Sequence, residues 1–145
     1  MNRSSVPTLE DAIALAVEAH RGQRDKAGQT YILHPLRVMM RLETDAERMA
    51  AILHDVVEDT PYSLERLRAL GYPEDVLGAL DCLTRREGES YEAFIERVRP
   101  HPLARRVKLA DLEDNMDVRR LLTVGAQEAE RLGRYRAAWT RLKEP

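Results

Sequence analysis

At 145 residues with a formal net charge of −2, the chain is long enough to bury a real core and is close to electrically neutral. That balance excludes the basic footprint of a duplex nucleic-acid or anionic-membrane binder, and no apolar run approaches the roughly 18 residues that a membrane span needs. A single cysteine, Cys82, excludes an intrachain disulfide framework and points to a reducing, cytoplasmic compartment.

Met1 to Pro7 has no apolar stretch and so no leader signature. Strand signals are almost missing, while Ala, Leu, Arg and Glu abound. The expectation is an all-α fold, one domain over residues 1–145 with about seven to eight helices. No internal repeat or low-complexity linker divides it.

The first helix is expected after Thr8, a good N-cap, with Glu10 and Asp11 in its first turn. Leu9, Ala12, Ile13, Ala16, Val17 and His20 keep helical spacing up to the terminator Gly22. His20 reads either as a hydrogen-bonded core residue or as a contact for substrate or for a water in a site. Residues 22–33 form a polar loop in which Arg24 and Lys26 are solvated charge or phosphate contacts.

His34-Pro35 opens the second helix, with Leu36, Val38, Met39 and Leu42 buried. A helix N-terminus disfavours an imidazolium, so His34 suits a neutral ring that gives a lone pair to a metal. Asp45 is expected to cap the next helix, whose apolar residues are Met49, Ala50, Ile52, Leu53, Val56 and Val57.

That helix carries His54, Asp55, Glu58 and Asp59 within six residues. At three- and four-residue spacing they share one face. Like charges there repel, and a divalent cation is the simplest compensation; the plain alternative is a solvated acidic helix end.

Ser63 caps a short helix closed by Gly71, and Pro73 opens another through Leu83. In that helix Cys82, among Leu77, Leu80 and Leu83, reads as a small core residue. Thr84 to Glu89 is a charged loop in which Arg85 and Arg86 read as surface charge. Tyr91, Phe94, Ile95 and Val98 mark a further helix. His101, between Pro100 and Pro102, reads as surface loop.

From Leu103 a longer helix places Asp111, Asp114 and Asn115 on its polar side. Asp111 follows Leu109 and Ala110 and can be drawn inward, but as an isolated Asp in a helix it reads as surface. The last helix, Ala126 to about Leu142, shows an ordinary core stripe, with its arginines solvated.

His34, His54, Asp55 and the distant Asp111 stand out as candidate ligands. Two imidazoles and two carboxylates suit Mn, Fe, Co, Zn or Mg rather than a thiolate zinc site. A six-coordinate ion would leave two positions for water and substrate.

The segments Ala19-His20-Arg21-Gly22-Gln23, Tyr31-Ile32-Leu33-His34-Pro35, Leu53 to Thr60 and Val107-Lys108-Leu109-Ala110-Asp111 carry a resemblance. They are similar to the HD superfamily of metal-dependent phosphohydrolases. The nearest likeness is to the hydrolase domain of RelA/SpoT homologues and their small stand-alone relatives. The resemblance implies an HD-type helical bundle and a Mn2+-dependent guanosine 3′,5′-bis(diphosphate) (ppGpp) 3′-pyrophosphohydrolase of the stringent response. It implies metal ligands His34, His54, Asp55 and Asp111. Glu58 and Asp59 match the pair that orients and deprotonates the attacking water. Asn115 matches a ribose or phosphate contact, and Lys26 a basic contact near the nucleotide. With no synthetase or regulatory region, hydrolysis alone is expected, on a small nucleotide and with no nucleic-acid partner.

Two segments depart from the pattern. Asp25, with Arg24 one residue earlier, stands where relatives commonly carry an Arg that packs on guanine. Leu112 and Asp114 stand where the larger enzymes often have Arg and His. Asp25 favours an alternative substrate, another nucleotide or a phosphorylated metabolite. A metal-stabilised binding module without turnover is a third reading, against which Glu58 and Asp59 stand.

Overall fold

A computed structural model of the chain describes residues 6–145. The leader reading of Met1 to Pro7 falls mostly on residues 1–5, outside the described residues. Eight α-helices follow one another: α1 (Leu9–Ala19), α2 (Leu33–Met40), α3 (Asp45–Asp59), α4 (Leu64–Ala69), α5 (Glu74–Leu83), α6 (Tyr91–Val98), α7 (Pro102–Asn115) and α8 (Ala126–Lys143). A 3-10 turn, Val118–Arg120, separates α7 from α8. The described residues form no strand beyond one isolated bridge, Arg24 to Thr30.

The caps explain where the helices begin. Thr8 Oγ1 accepts from Asp11 N at 3.2 Å and Asp11 Oδ2 accepts from Thr8 N at 2.8 Å. The reciprocal pair is a capping box, and losing such a cap costs about 1 kcal/mol. In α3 the cap is Thr44 rather than Asp45: its hydroxyl accepts from Glu47 N, and Glu47 reaches back to Thr44 N. Asp45 instead lies in the first turn, where a carboxylate favours the helix dipole.

His101 is not loose surface. It caps α7, its Nδ1 accepting from Ala104 N at 3.2 Å, with Pro102 at the first helical position.

Helix α3 is the organising element, packed on α1, α2, α5 and α7. Its Ala50, Ala51, Ile52, Leu53 and Val56 are wholly buried, as are Val38 of α2, Leu80 of α5 and Leu112 of α7. Cys82 is half-buried against this core, and burial pushes its thiol up. No helix among the described residues is long and apolar enough to cross a membrane.

The packing has one consequence for chemistry. The buried face of α3 runs past Leu53 to His54 just where the start of α2 and the C-terminal half of α7 meet it.

Candidate metal centre

His34, His54 and Asp111 are each no more than 5 % exposed. One ligand atom from each lies within 4.8 Å of the other two. Asp111 Oδ1 is 2.9 Å from His34 Nε2 and 3.5 Å from His54 Nε2. Asp55 closes the group, with Oδ1 3.2 Å from His54 Nε2 and Oδ2 3.8 Å from His34 Nε2. Three helices thus bring two imidazoles and two carboxylates to one point, a donor set and spacing that fit a hard-to-borderline divalent ion.

The outer nitrogen of each imidazole is already committed. His34 Nδ1 donates to Asp114 Oδ2 at 2.6 Å, and His54 Nδ1 donates to the Ala51 carbonyl at 2.6 Å. Both Nε2 atoms therefore face the shared centre, which is how a metal-binding imidazole is oriented.

Asp114 is wholly buried, not on a polar helix face. Besides His34 it accepts from Arg37 Nε at 2.8 Å and lies 3.1 Å from Arg120 Nη1. Tyr31 Oη donates to Asp55 Oδ2 at 2.5 Å, and Lys108 Nζ sits 2.9 Å from Asp111 Oδ2. Asp55 and Asp111 each have one oxygen held in this way, with the other directed to the centre.

The electrostatics follow from that crowding. Burial pushes His34 down, but Asp111 and Asp114 outweigh it and raise the imidazole to about 9. His54 is likewise opposed by burial yet raised to about 10, by Asp55 and Asp111. Asp111 resists the upward push of burial and is held well below the usual carboxylate range by Lys108 and the two imidazoles. Burial, Asp55 and Asp59 push Glu58 up, and burial and Asp55 do the same to Asp59. A group whose acidity is moved by burial and a charged partner in a cleft is a candidate for proton transfer.

A cleft of about 760 Å³ opens over this centre. Glu58 lines it, as do Arg24, Lys26 and Asn115. Asn115 Nδ2 points at Asp111 Oδ1 from 3.4 Å. Glu58 and Asp59 are at the exposed end of α3, Asp59 just outside the cleft lining.

His20 is buried behind the lining, its ring 4.9 Å from that of Tyr31 and its Nδ1 2.8 Å from Gln23 Oε1. Asp25 is consumed by its own loop: Oδ1 accepts from Ala27 N and Gln29 N, and Oδ2 lies 3.3 Å from Arg120.

Five site residues escaped the sequence reading: Tyr31, Lys108, Asp114, Arg120 and Arg131. Asp114 had a signal, since it follows Asp111 by three residues and so shares its helix face. Arg131, taken as solvated, lines the cleft with its side chain only 17 % exposed. Arg120 carried no signal, because its partners Asp25 and Asp114 are set by the turn between α7 and α8.

No family model matches the chain. Danio rerio guanosine-3′,5′-bis(diphosphate) 3′-pyrophosphohydrolase MESH1 is 34% identical over 148 residues, 93% of this chain and 82% of that protein. The Haemophilus influenzae enzyme of the same activity is 38% identical over 118 residues, 70% of this chain and 17% of that one. Streptomyces coelicolor GTP pyrophosphokinase is 36% identical over 138 residues, 86% of this chain and 16% of that one. The chain spans about a sixth of the length of these last two relatives. A solved metazoan SpoT orthologue, described as hydrolysing ppGpp, superposes with a TM-score of 0.79 at 26% identity, over 97% of this chain and 89% of that one. With the fold matched over 97% of this chain and MESH1 matched over most of both sequences, the chain belongs to the HD-type family of SpoT-like guanosine-3′,5′-bis(diphosphate) 3′-pyrophosphohydrolases.

Proposed function

We propose that the chain is a single functional unit that hydrolyses ppGpp to GDP and pyrophosphate with one divalent metal, Mn2+ before Mg2+, Fe2+, Co2+ or Zn2+. The observation that carries the reading is His34, His54, Asp55 and Asp111 meeting at the floor of a cleft whose mouth holds Glu58. An ion bound by these four supplies Lewis acidity to the water and offsets charge on the phosphoryl group.

The chain's own groups do the rest. Glu58, with Asp59 beside it, takes the proton from the attacking water at a carboxylate oxygen. The water oxygen bonds to the phosphorus carried on O3′, and the P–O3′ bond breaks. Glu58 then returns its proton to the 3′-oxygen, and pyrophosphate departs. A carboxyl raised above its ordinary range is suited to both halves of that exchange.

Asn115 meets the ribose or a phosphate, and Lys26, Arg24 and Arg131 offset phosphate charge along the cleft. His20 acts at a distance, holding the Tyr31 ring that donates to Asp55. The single Cys82 suits a cytoplasmic setting, and a role in the stringent response follows from the substrate.

Asp25 favours a second reading. Its carboxylate is tied to Ala27, Gln29 and Arg120, so that loop position offers no guanidinium to stack on guanine. Another nucleotide carrying a 3′-phosphate ester is then the substrate.

Product analysis on Mn2+-loaded protein incubated with ppGpp and a nucleotide set separates the two. GDP with stoichiometric pyrophosphate supports the first reading. Turnover of a different nucleotide alone supports the second, and silence on all of them with metal bound ends both.

A further inference from the structure

Tyr91 opens α6 on the wall of the same cleft. Its hydroxyl is buried and has no hydrogen-bond partner among the described residues. A buried hydroxyl without a partner is costly, and proteins rarely leave one so unless something else binds there.

Around that ring stand three cations from three different elements. Arg85 Cζ is 5.6 Å from the ring centroid, Lys108 Nζ 5.9 Å and Arg134 Cζ 5.6 Å. Only Lys108 has a carboxylate partner, Asp111. Among the described residues neither Arg85 nor Arg134 is in an ion pair within 4.0 Å. Arg85 donates only to the Glu89 carbonyl, at 3.2 Å.

Stacking on tyrosine does not account for the group. A ring has two faces, and an exposed cation–π contact is weak. Three like charges around one ring, whose hydroxyl has no partner among the described residues, favour an anion. The hydroxyl, the Lys108 ammonium and both guanidiniums can each donate, and a phosphate has acceptor oxygens for all of them.

The position of the cluster says which phosphate. Lys108 Nζ is 2.9 Å from the Asp111 oxygen that faces away from the metal centre. An anion touching Lys108 is therefore next door to the reacting phosphorus. Lys26 and Arg131 form a separate basic group on the lining beside Glu128. A nucleotide with two diphosphates needs two such places.

We infer that Tyr91, Arg85, Lys108 and Arg134 form a subsite for the terminal phosphate of the diphosphate under attack, and so hold pyrophosphate before its release. The substrate half of this rests on the proposed function; the subsite does not, and it can be tested with inorganic pyrophosphate alone.

The probe is inorganic pyrophosphate, titrated calorimetrically into the metal-free full chain and used separately as a product inhibitor of ppGpp turnover. Arg85→Gln and Arg134→Gln should each weaken its binding by about tenfold, the loss of one charge-assisted contact. Tyr91→Phe should weaken it severalfold with the melting temperature unchanged or raised, because the hydroxyl has no partner to lose; a merely structural tyrosine would lower the melting temperature instead. Arg86→Gln, next in sequence but tied to Asp81 and Thr84, should change nothing. Inhibition by GDP should be the same in all four variants.

No pyrophosphate binding, or binding in Arg85→Gln and Arg134→Gln as tight as in the parent, overturns the subsite. So does a matching loss of GDP affinity. Both arginines are exposed, so their replacement leaves the core intact. Pyrophosphate bound as expected by a chain that cleaves no ppGpp ends the hydrolase reading and leaves the subsite. Turnover of ppGpp with pyrophosphate binding unaffected by the substitutions does the reverse.

Discussion

His34 and Asp114, eighty residues apart in sequence, share a 2.6 Å bond inside the core. Through it the carboxylate fixes which imidazole nitrogen faces the candidate metal centre. The same carboxylate holds Arg37 and Arg120, so one buried acid ties α2, α7 and the following turn together.

Replacing that acid tests the arrangement. Asp114→Asn keeps the shape but halves the acceptor capacity and removes the charge. Metal affinity should fall by about 10- to 100-fold, the usual effect of losing a group that orients a ligand. Metal titration reads it; unchanged affinity would show that His34 needs no such support.

The two halves of the chemistry should separate by mutation. Asp59→Asn and Glu58→Gln should keep metal and lose turnover, by about two to four powers of ten for the general base. His54→Ala should lose both. Metal content and steady-state rates on each variant decide it, and full activity in Asp59→Asn would remove Asp59 from the mechanism.

The metal-free chain should have an inverted pH response. His34 and His54 are raised from the ordinary imidazole value to about 9 and about 10. A raised group contributes stability that is fully present below about 6.5 and is lost as pH rises through the folded values. Melting temperature without metal should therefore fall between pH 6.5 and 10. Metal binding needs both rings neutral, so affinity should climb over the same window. Thermal scans with and without Mn2+ read both slopes; parallel slopes would contradict the assignment of the two rings.

The Asp25 loop should affect substrate more than metal. Asp25→Ala removes two loop hydrogen bonds and the Arg120 pair. KM should rise severalfold, with metal affinity within twofold of the parent, since Asp25 touches no candidate ligand. A larger loss of metal than of KM would mean that Arg120 transmits the change to Asp114.

Helix content was legible from spacing and caps because both are local. Thr8 with Asp11 and Ser63 before Leu64 need only a few consecutive residues to act. The one-residue shift from Asp45 to Thr44 has the same origin, two adjacent side chains that can each cap. His101 was misread because a capping imidazole between prolines has no pattern until the helix after it forms.

Taken alone, the order of residues determined the eight helical segments among the described residues, the cluster from His54 to Asp59 and, by resemblance, the candidate ligands. Those are properties of short stretches and of motif order. Only the tertiary structure decided that Asp114 is an inward acid, that Asp25 is spent on Arg120, and that Arg85, Lys108 and Arg134 stand around the Tyr91 ring. Each of these joins residues from separate elements, and a buried charge declares its purpose only when the partner that compensates it has been brought within bonding distance.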